Sequence, residues 1–174
     1  VFDGTNDYVN IPGDKSLDTP DAFTVGAWIY DSSATLHHSV NKDSGAGTSR
    51  VWILRRHTDT TGSWAVWNSD NSSTGLVPAN SWAMNQWFRI VCTAKIVGAN
   101  MLKELFFNGV SKGTSSTAAT AIQVATAQPI YIGRDSGGYK EQFLAFPFLA
   151  NKAWSAAQAK NDYLNTKGMF APRG

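Results

Sequence analysis

AFTVGAWIY, residues 22–30, sets Phe23, Val25, Ala27 and Ile29 on one side and Thr24, Gly26, Trp28 and Tyr30 on the other. A period of two sustained over nine residues predicts a strand with one face in a core. QWFRIVCTAKI, residues 86–96, repeats the pattern with Phe88, Ile90, Cys92 and Ala94 against Trp87, Arg89, Val91 and Thr93. Large groups on both sides suit a central strand in a two-layer stack. Outward from these two runs, shorter extended stretches are expected around a turn at residues 1–12 and at 35–40, 50–56, 63–68 and 74–78. Others are expected within AIQVAT and at 129–133 and 142–150. Asn108-Gly109, between two extended runs, is a hairpin signal, because a type I′ turn needs positive φ at both central positions. One segment, 155–168, reads as helix, with Ser155 as N-cap, Gln158 at the capping-box position and Gly168 to end it. About a dozen short strands and one late helix predict an all-β fold, a two-sheet antiparallel sandwich with one short C-terminal helix.

The 174 residues correspond to about one domain at roughly 150 residues per domain. We find no internal repeat or linker, so a single domain over 1–174 is expected. With no initiator Met and Val1 already reading as strand, the chain is expected to be a piece of a longer one. Charged residues make up 16% and the net charge is +2, with no basic cluster beyond Arg55-Arg56, which argues against a nucleic-acid groove. No apolar run approaches the ~18 residues that span a bilayer. Seven Trp, nine Phe and five Tyr exclude a disordered chain despite its Ser/Thr/Asn-rich loops. Cys92 is the one cysteine, so no disulfide forms within the chain.

Taken in order, FDGTNDYVNIP, FTVGAWIY, NQWFRIVCTAK, ELFFNGVSKG, PIYIGRD and NKAWSAAQAKNDYLN cover nearly the whole chain. The ordered set resembles the laminin G-like and pentraxin-like branch of the concanavalin A-like lectin/glucanase jelly rolls. That resemblance implies a jelly-roll sandwich, a fold that hosts lectins, adhesion modules, hydrolases and virion proteins. The sequence departs from the family pattern at FLAFPFLA, where Ala145 and Phe146 stand about where an acidic pair is usual. Pro147 removes a ladder donor, so an edge or a bulge is expected there, on a strand apolar enough to be covered by a neighbour.

The family's glycoside hydrolases carry carboxylates spaced along one strand, one attacking or activating water while another protonates the leaving oxygen. This chain has two glutamates, Glu104 and Glu141, with no acidic partner at such spacing. Cys92 lies mid-strand among aliphatics and reads as an inert thiol. His37 and His38 are adjacent on a strand and point to opposite faces, which leaves only a pairing of one of them with His57 for a transition metal. No catalytic residue is assigned and no enzyme is expected. No cofactor is required. Calcium, which many relatives bind at a loop edge, has candidate ligands in Asp3, Asp7, Asp14 and Asp135 without the spacing of a dedicated loop. For carbohydrate, the candidates are Arg55, His57, Trp64, Trp67 and Asn68, on two strands joined by TDTTG. An aromatic face beside a guanidinium and an amide gives a sugar apolar contact below and directional donors at its edge. Trp64 and Trp67 lie on opposite faces of a regular strand, so one is expected in the core and the other exposed as the platform.

The leading expectation is a non-catalytic binding or attachment domain recognising carbohydrate or a cell surface. It would belong to a larger surface or virion assembly and act outside the cell, at a cell surface or on a virion. The alternative is a structural virion component packing against copies of itself or a shell; a glycoside hydrolase is the third reading. The expected partners are surface glycans or neighbouring protein subunits.

Overall fold

The computed structural model describes residues 2–32, 38–43, 49–135, 138–139 and 141–170. The strands in chain order are β1 (Phe2–Asp3), β2 (Val9–Ile11), β3 (Ala22–Tyr30), β4 (His38–Lys42), β5 (Trp52–Arg56), β6 (Gly62–Trp67) and β7 (Ser73–Leu76). They continue with β8 (Trp87–Val97), β9 (Asn100–Phe107), β10 (Val110–Ala118), β11 (Ile130–Ile132), β12 (Arg134–Asp135), β13 (Gly138–Tyr139) and β14 (Glu141–Ala150). Helix α1 (Ala156–Thr166) follows. One six-stranded sheet has the order β1-β14-β3-β8-β9-β10, and the other β2-β11-β4-β5-β6-β7; β12 and β13 form a separate ribbon. All named pairings are antiparallel. This is the jelly-roll sandwich expected from the sequence.

Phe23, Val25, Ala27, Ile29, Phe88, Ile90 and Cys92 are all 0–1% exposed and share one core between the sheets with Trp52, Leu54, Trp64 and Val66 of the facing sheet. Burial of Cys92 pushes its thiol well above the ordinary range, which keeps it protonated and unreactive. The other face of β3 and β8 is not open to water. Val91, Phe106 and Ala159 of α1 form a second buried cluster there, joined by Phe148 and Trp154. Arg89 on β8 grips Asp162 on α1 through Nε at 2.6 Å and Nη2 at 3.1 Å.

Local signals fix the corners. Asn108 and Gly109 have φ of 51° and 74°, the two positive values that a type I′ turn needs. The Ser155 hydroxyl accepts from the Gln158 amide and the Gln158 side chain accepts from the Ser155 amide, closing the capping box. Two expectations are corrected. The helix does not stop at Gly168 but tightens into a 3-10 turn over Lys167–Met169, its cap N–H bonding Tyr163 O. AIQVAT forms no strand; Ile122 makes a lone bridge to Asn68 and plugs the core, 1% exposed. Residues 35–37 of the stretch expected at 35–40, including His37, lie outside the described residues, as does Val1. At FLAFPFLA the register shifts between Ala145 and Phe148, and Phe146 has φ +46°, so Pro147 marks a bulge.

Candidate functional site

The five residues expected to hold a sugar do not converge. The β5–β6 register sets Leu54 opposite Trp64 and Arg55 opposite Ser63, so Trp64 and Arg55 face opposite sides of the sheet. Trp64 is 0% exposed; it packs on Phe23 and Trp52 and donates from Nε1 to Thr93 O at 3.1 Å. Trp67 lies on the outer face with Ile53 and Ala65, yet it is only 7% exposed, with the Arg50 guanidinium 4.3 Å over its ring and Asp43 holding that guanidinium at 2.9 Å. His57 is exposed at one end of β6. Asn68 is buried at the other, about 20 Å away at ~3.3 Å per residue, donating to Ser72 Oγ and Ala118 O. The expected division into inner and outer tryptophan is present; the expected exposed platform is not, because the outer ring is capped.

An open surface arises elsewhere, on the outer face of β8, β9 and β10. Strand pairing aligns Thr24, Thr93, Glu104 and Thr114 in one row across four strands, and Lys95, Leu102 and Ser116 in the next. Helix α1 covers the adjacent row of Val91 and Phe106 and stops short of these two. The result is a groove of about 450 Å³ between β10 and the start of α1. Its end wall is Trp154. Thr24 Oγ1 donates to Lys152 O at 2.7 Å and accepts from the Trp154 amide at 2.9 Å, which pins the loop ahead of α1. The half-buried Trp154 ring stacks on Phe148 at 4.5 Å and 19°. Glu104 accepts from Ser111 Oγ at 2.5 Å. The groove therefore combines one indole, several hydroxyls and the Lys95 ammonium, the mixture that holds a polyol: apolar contact at one end, donors and acceptors along the floor. Lys95, Thr114 and Ser116 escaped the sequence reading because they meet only through the β8–β9–β10 register, and Trp154 because it reaches them only through the bonds of Thr24 to the loop ahead of α1; the polar run TSST in β10 is the one local trace.

The half-buried Asp18 and the buried Asp31 are tied to cations. Asp18 accepts from Lys42 at 2.8 Å and from Thr126; burial works to raise its carboxyl, and these bonds outweigh it and hold the group below the usual range. Asp31 accepts from Trp82 Nε1 at 2.8 Å and lies 3.8 Å from Arg56. Of the calcium candidates, Asp3 accepts from the Thr5 amide and Asp14 from the Ser16 amide, both as turn or cap acceptors, and Asp7 is exposed. The Asp135 side chain lies outside the described residues. Among the described residues no group of three His, Cys, Asp or Glu is placed to hold a metal ion.

Two stacked six-stranded antiparallel sheets closed by a short helix define a lectin-like jelly-roll domain. Residues 3–148 match the laminin G-like family model described as the concanavalin A-like lectin/glucanases superfamily, and the chain belongs to that superfamily. No curated protein matches it. Among solved structures, it is similar to the receptor binding domain of botulinum neurotoxin D, with a TM-score of 0.70 and 16% identity over 95% of this chain and 43% of that one. A structure of botulinum neurotoxin type C, whose cell entry depends on interaction with two ganglioside molecules, matches with a TM-score of 0.67 and 12% identity over 91% and 39%. The native heptameric SAP-like pentraxin from Limulus polyphemus matches with a TM-score of 0.60 and 14% identity over 88% and 79%. The chain thus spans about two-fifths of these two toxin structures, and at these identities the likeness is one of fold.

Proposed function

We propose that this is a non-catalytic glycan-binding domain, part of a larger assembly acting outside the cell, at a cell surface or on a virion, and that the groove beside Trp154 takes a neutral oligosaccharide. The observation that carries the reading is the alignment of Thr93, Glu104 and Thr114 beside Lys95 and Ser116 under an indole wall, in a groove of sugar-chain size. Membership of a superfamily that includes lectins, and likeness to a toxin's receptor binding domain and to a toxin whose cell entry depends on gangliosides, support it. Against hydrolysis stands the floor itself. Glu104 is the groove's carboxylate and is engaged by Ser111, and a glycosidase needs two carboxyl groups facing one bond. A glycan-array screen followed by calorimetric titration tests the proposal. Trp154→Ala and Thr114→Val should each weaken binding of a neutral hit, the first about tenfold or more, with the near-ultraviolet spectrum of the core retained. Absence of any neutral hit, or unchanged binding by both variants, overturns it. Hydrolysis of a hit abolished by Glu104→Gln would restore the enzyme reading.

A structural role in a larger assembly has its own support. Phe143 and Phe146 are 37% and 54% exposed on β14, beside Tyr30, Trp87 and Phe170, an aromatic surface suited to packing against a neighbour. Light scattering of the purified domain over a concentration series tests it: self-association lost on Phe146→Ser would favour this reading.

A further inference from the structure

We infer a second ligand site on the opposite sheet, for a carboxylated or sulfated saccharide, built around Arg134. Its guanidinium carbon lies 4.9, 5.1 and 5.7 Å from the ring centroids of Tyr8, Tyr131 and Tyr139. The rings also contact one another, Tyr8 with Tyr131 at 6.1 Å and with Tyr139 at 5.6 Å. Three elements bring them together. Tyr131 projects outward from β11 because its neighbours Ile130 and Ile132 enter the core. Tyr139 pairs directly with Arg134 across the β12–β13 ribbon, and Tyr8 enters from the start of β2. Asn41 Nδ2 donates to Arg134 O at 2.6 Å and fixes the backbone beneath the guanidinium.

The charge balance of Arg134 differs from that of four other cations of the fold. Lys42, Arg50, Arg56 and Arg89 each sit against a carboxylate. Arg134 sits against none among the described residues. Ring faces hold a guanidinium through its π-surface and leave its in-plane N–H groups able to donate elsewhere, and no acceptor for them stands among the described residues. A half-buried cation with a free planar fork matches a carboxylate or a sulfate, which it can bind through two parallel N–H bonds. Tyr8, 38% exposed, adds a ring face and a phenolic hydroxyl at the rim. Anion, apolar CH surface and hydroxyls together describe an acidic sugar better than an acidic peptide, which would leave the ring faces unused. The inference rests on reading the domain as a glycan binder but uses a surface separate from the Trp154 groove.

The test is a titration of the whole 174-residue domain, followed by amide chemical shifts, with 3′-sialyllactose, lactose 3′-sulfate, lactose and a hexa-aspartate peptide. One or both acidic sugars should shift the amides of Tyr8, Tyr131, Arg134 and Tyr139, and which of them does so distinguishes carboxylate from sulfate. Lactose should bind there about tenfold more weakly or not at all. Raising NaCl from about 50 to about 500 mM should weaken the acidic sugars severalfold. Arg134→Gln should abolish the preference for acidic sugar. If that variant does not fold, Tyr8→Ala decides, since this exposed ring can be removed without opening the core and should weaken binding several-fold. Trp154→Ala should leave this response intact, so failure of the groove and failure of this site read out separately. Equal binding of lactose, equal binding of the peptide, no shift at these residues, or wild-type preference in the variant that folds overturns the inference.

Discussion

Lys103 shows how far a single side chain can depart from the pattern around it. It stands on the inward face of β9, between Met101 and Leu105, and is 1% exposed. Burial lowers its ammonium from 10.5 to about 8. The unfolded chain keeps that proton up to the ordinary value, while the folded chain releases it near 8. Between these values the unfolded state binds more protons, so stability rises with pH. Lys103→Met should flatten that rise and stabilise the domain at neutral pH by about 1–3 kcal/mol, less whatever its present partner contributes. Denaturant melts of both proteins from pH 7 to 10.5 check this; parallel curves would show that the lysine is not desolvated. Trp64 makes the opposite case, a residue whose loss should be felt only in stability. Trp64→Ala should cost about 3–5 kcal/mol and leave glycan titrations unchanged below the new melting point. Lost binding with unchanged stability would return the hairpin to the role the sequence suggested.

At the scale of elements, Arg89 is the joint where α1, the β14 bulge and the β9–β10 turn meet. Besides its two bonds to Asp162, it donates from Nη1 to Phe146 O at 3.1 Å, and its own amide donates to Asn108 Oδ1 at 2.8 Å. The positive φ of Phe146 turns that carbonyl toward the guanidinium, so the bulge that Pro147 foreshadows is what lets β14 share a cation with the helix. Asp162→Ala leaves a nearly buried guanidinium without its counter-charge, at a cost of about 3 kcal/mol. Amide exchange should then speed up across 156–166, while the amides of β3 and β8 keep their protection relative to the new global stability. Uniform acceleration in helix and strands alike would mean that α1 unfolds only with the whole domain. Because Ala153, Trp154 and Ser155, which wall the groove, lead directly into α1, loosening of the helix should also weaken the neutral oligosaccharide.

For the molecule as a whole, what the sequence made legible was whatever is encoded over a few neighbouring residues. Alternation in 22–30 and 86–96, the Asn108-Gly109 turn and the Ser155 capping box each carry their own geometry, and their order along the chain sufficed for the sandwich. The candidate site was not legible, because the row from Thr24 through Thr93 and Glu104 to Thr114 joins residues 90 positions apart and exists only once three strand registers are set. The hairpin 52–68 misled for the same reason: its composition suits a sugar, but register sends Trp64 inward, and Arg50, from outside the hairpin, caps Trp67. Register also fixes how the two proposed sites are disposed. The Trp154 groove lies on the outer face of the sheet holding β3 and β8, and the Arg134 cluster on the outer face of the sheet holding β4 and β11. With the sheets about 10 Å apart and their inner faces filled by core, the two sites open in opposite directions. A domain so built can bridge two surfaces without self-association. Mixed vesicles displaying a neutral hit and sialyllactose should therefore cluster on adding the intact domain, seen as a rise in turbidity. Trp154→Ala and Arg134→Gln should each still bind the vesicles through the remaining site, with turbidity near baseline, because one contact per molecule holds no second vesicle. Clustering by either variant at the rate of the intact domain would assign the bridging to contacts between copies through the aromatic surface of β14, and no clustering by the intact domain would place both sites on one side.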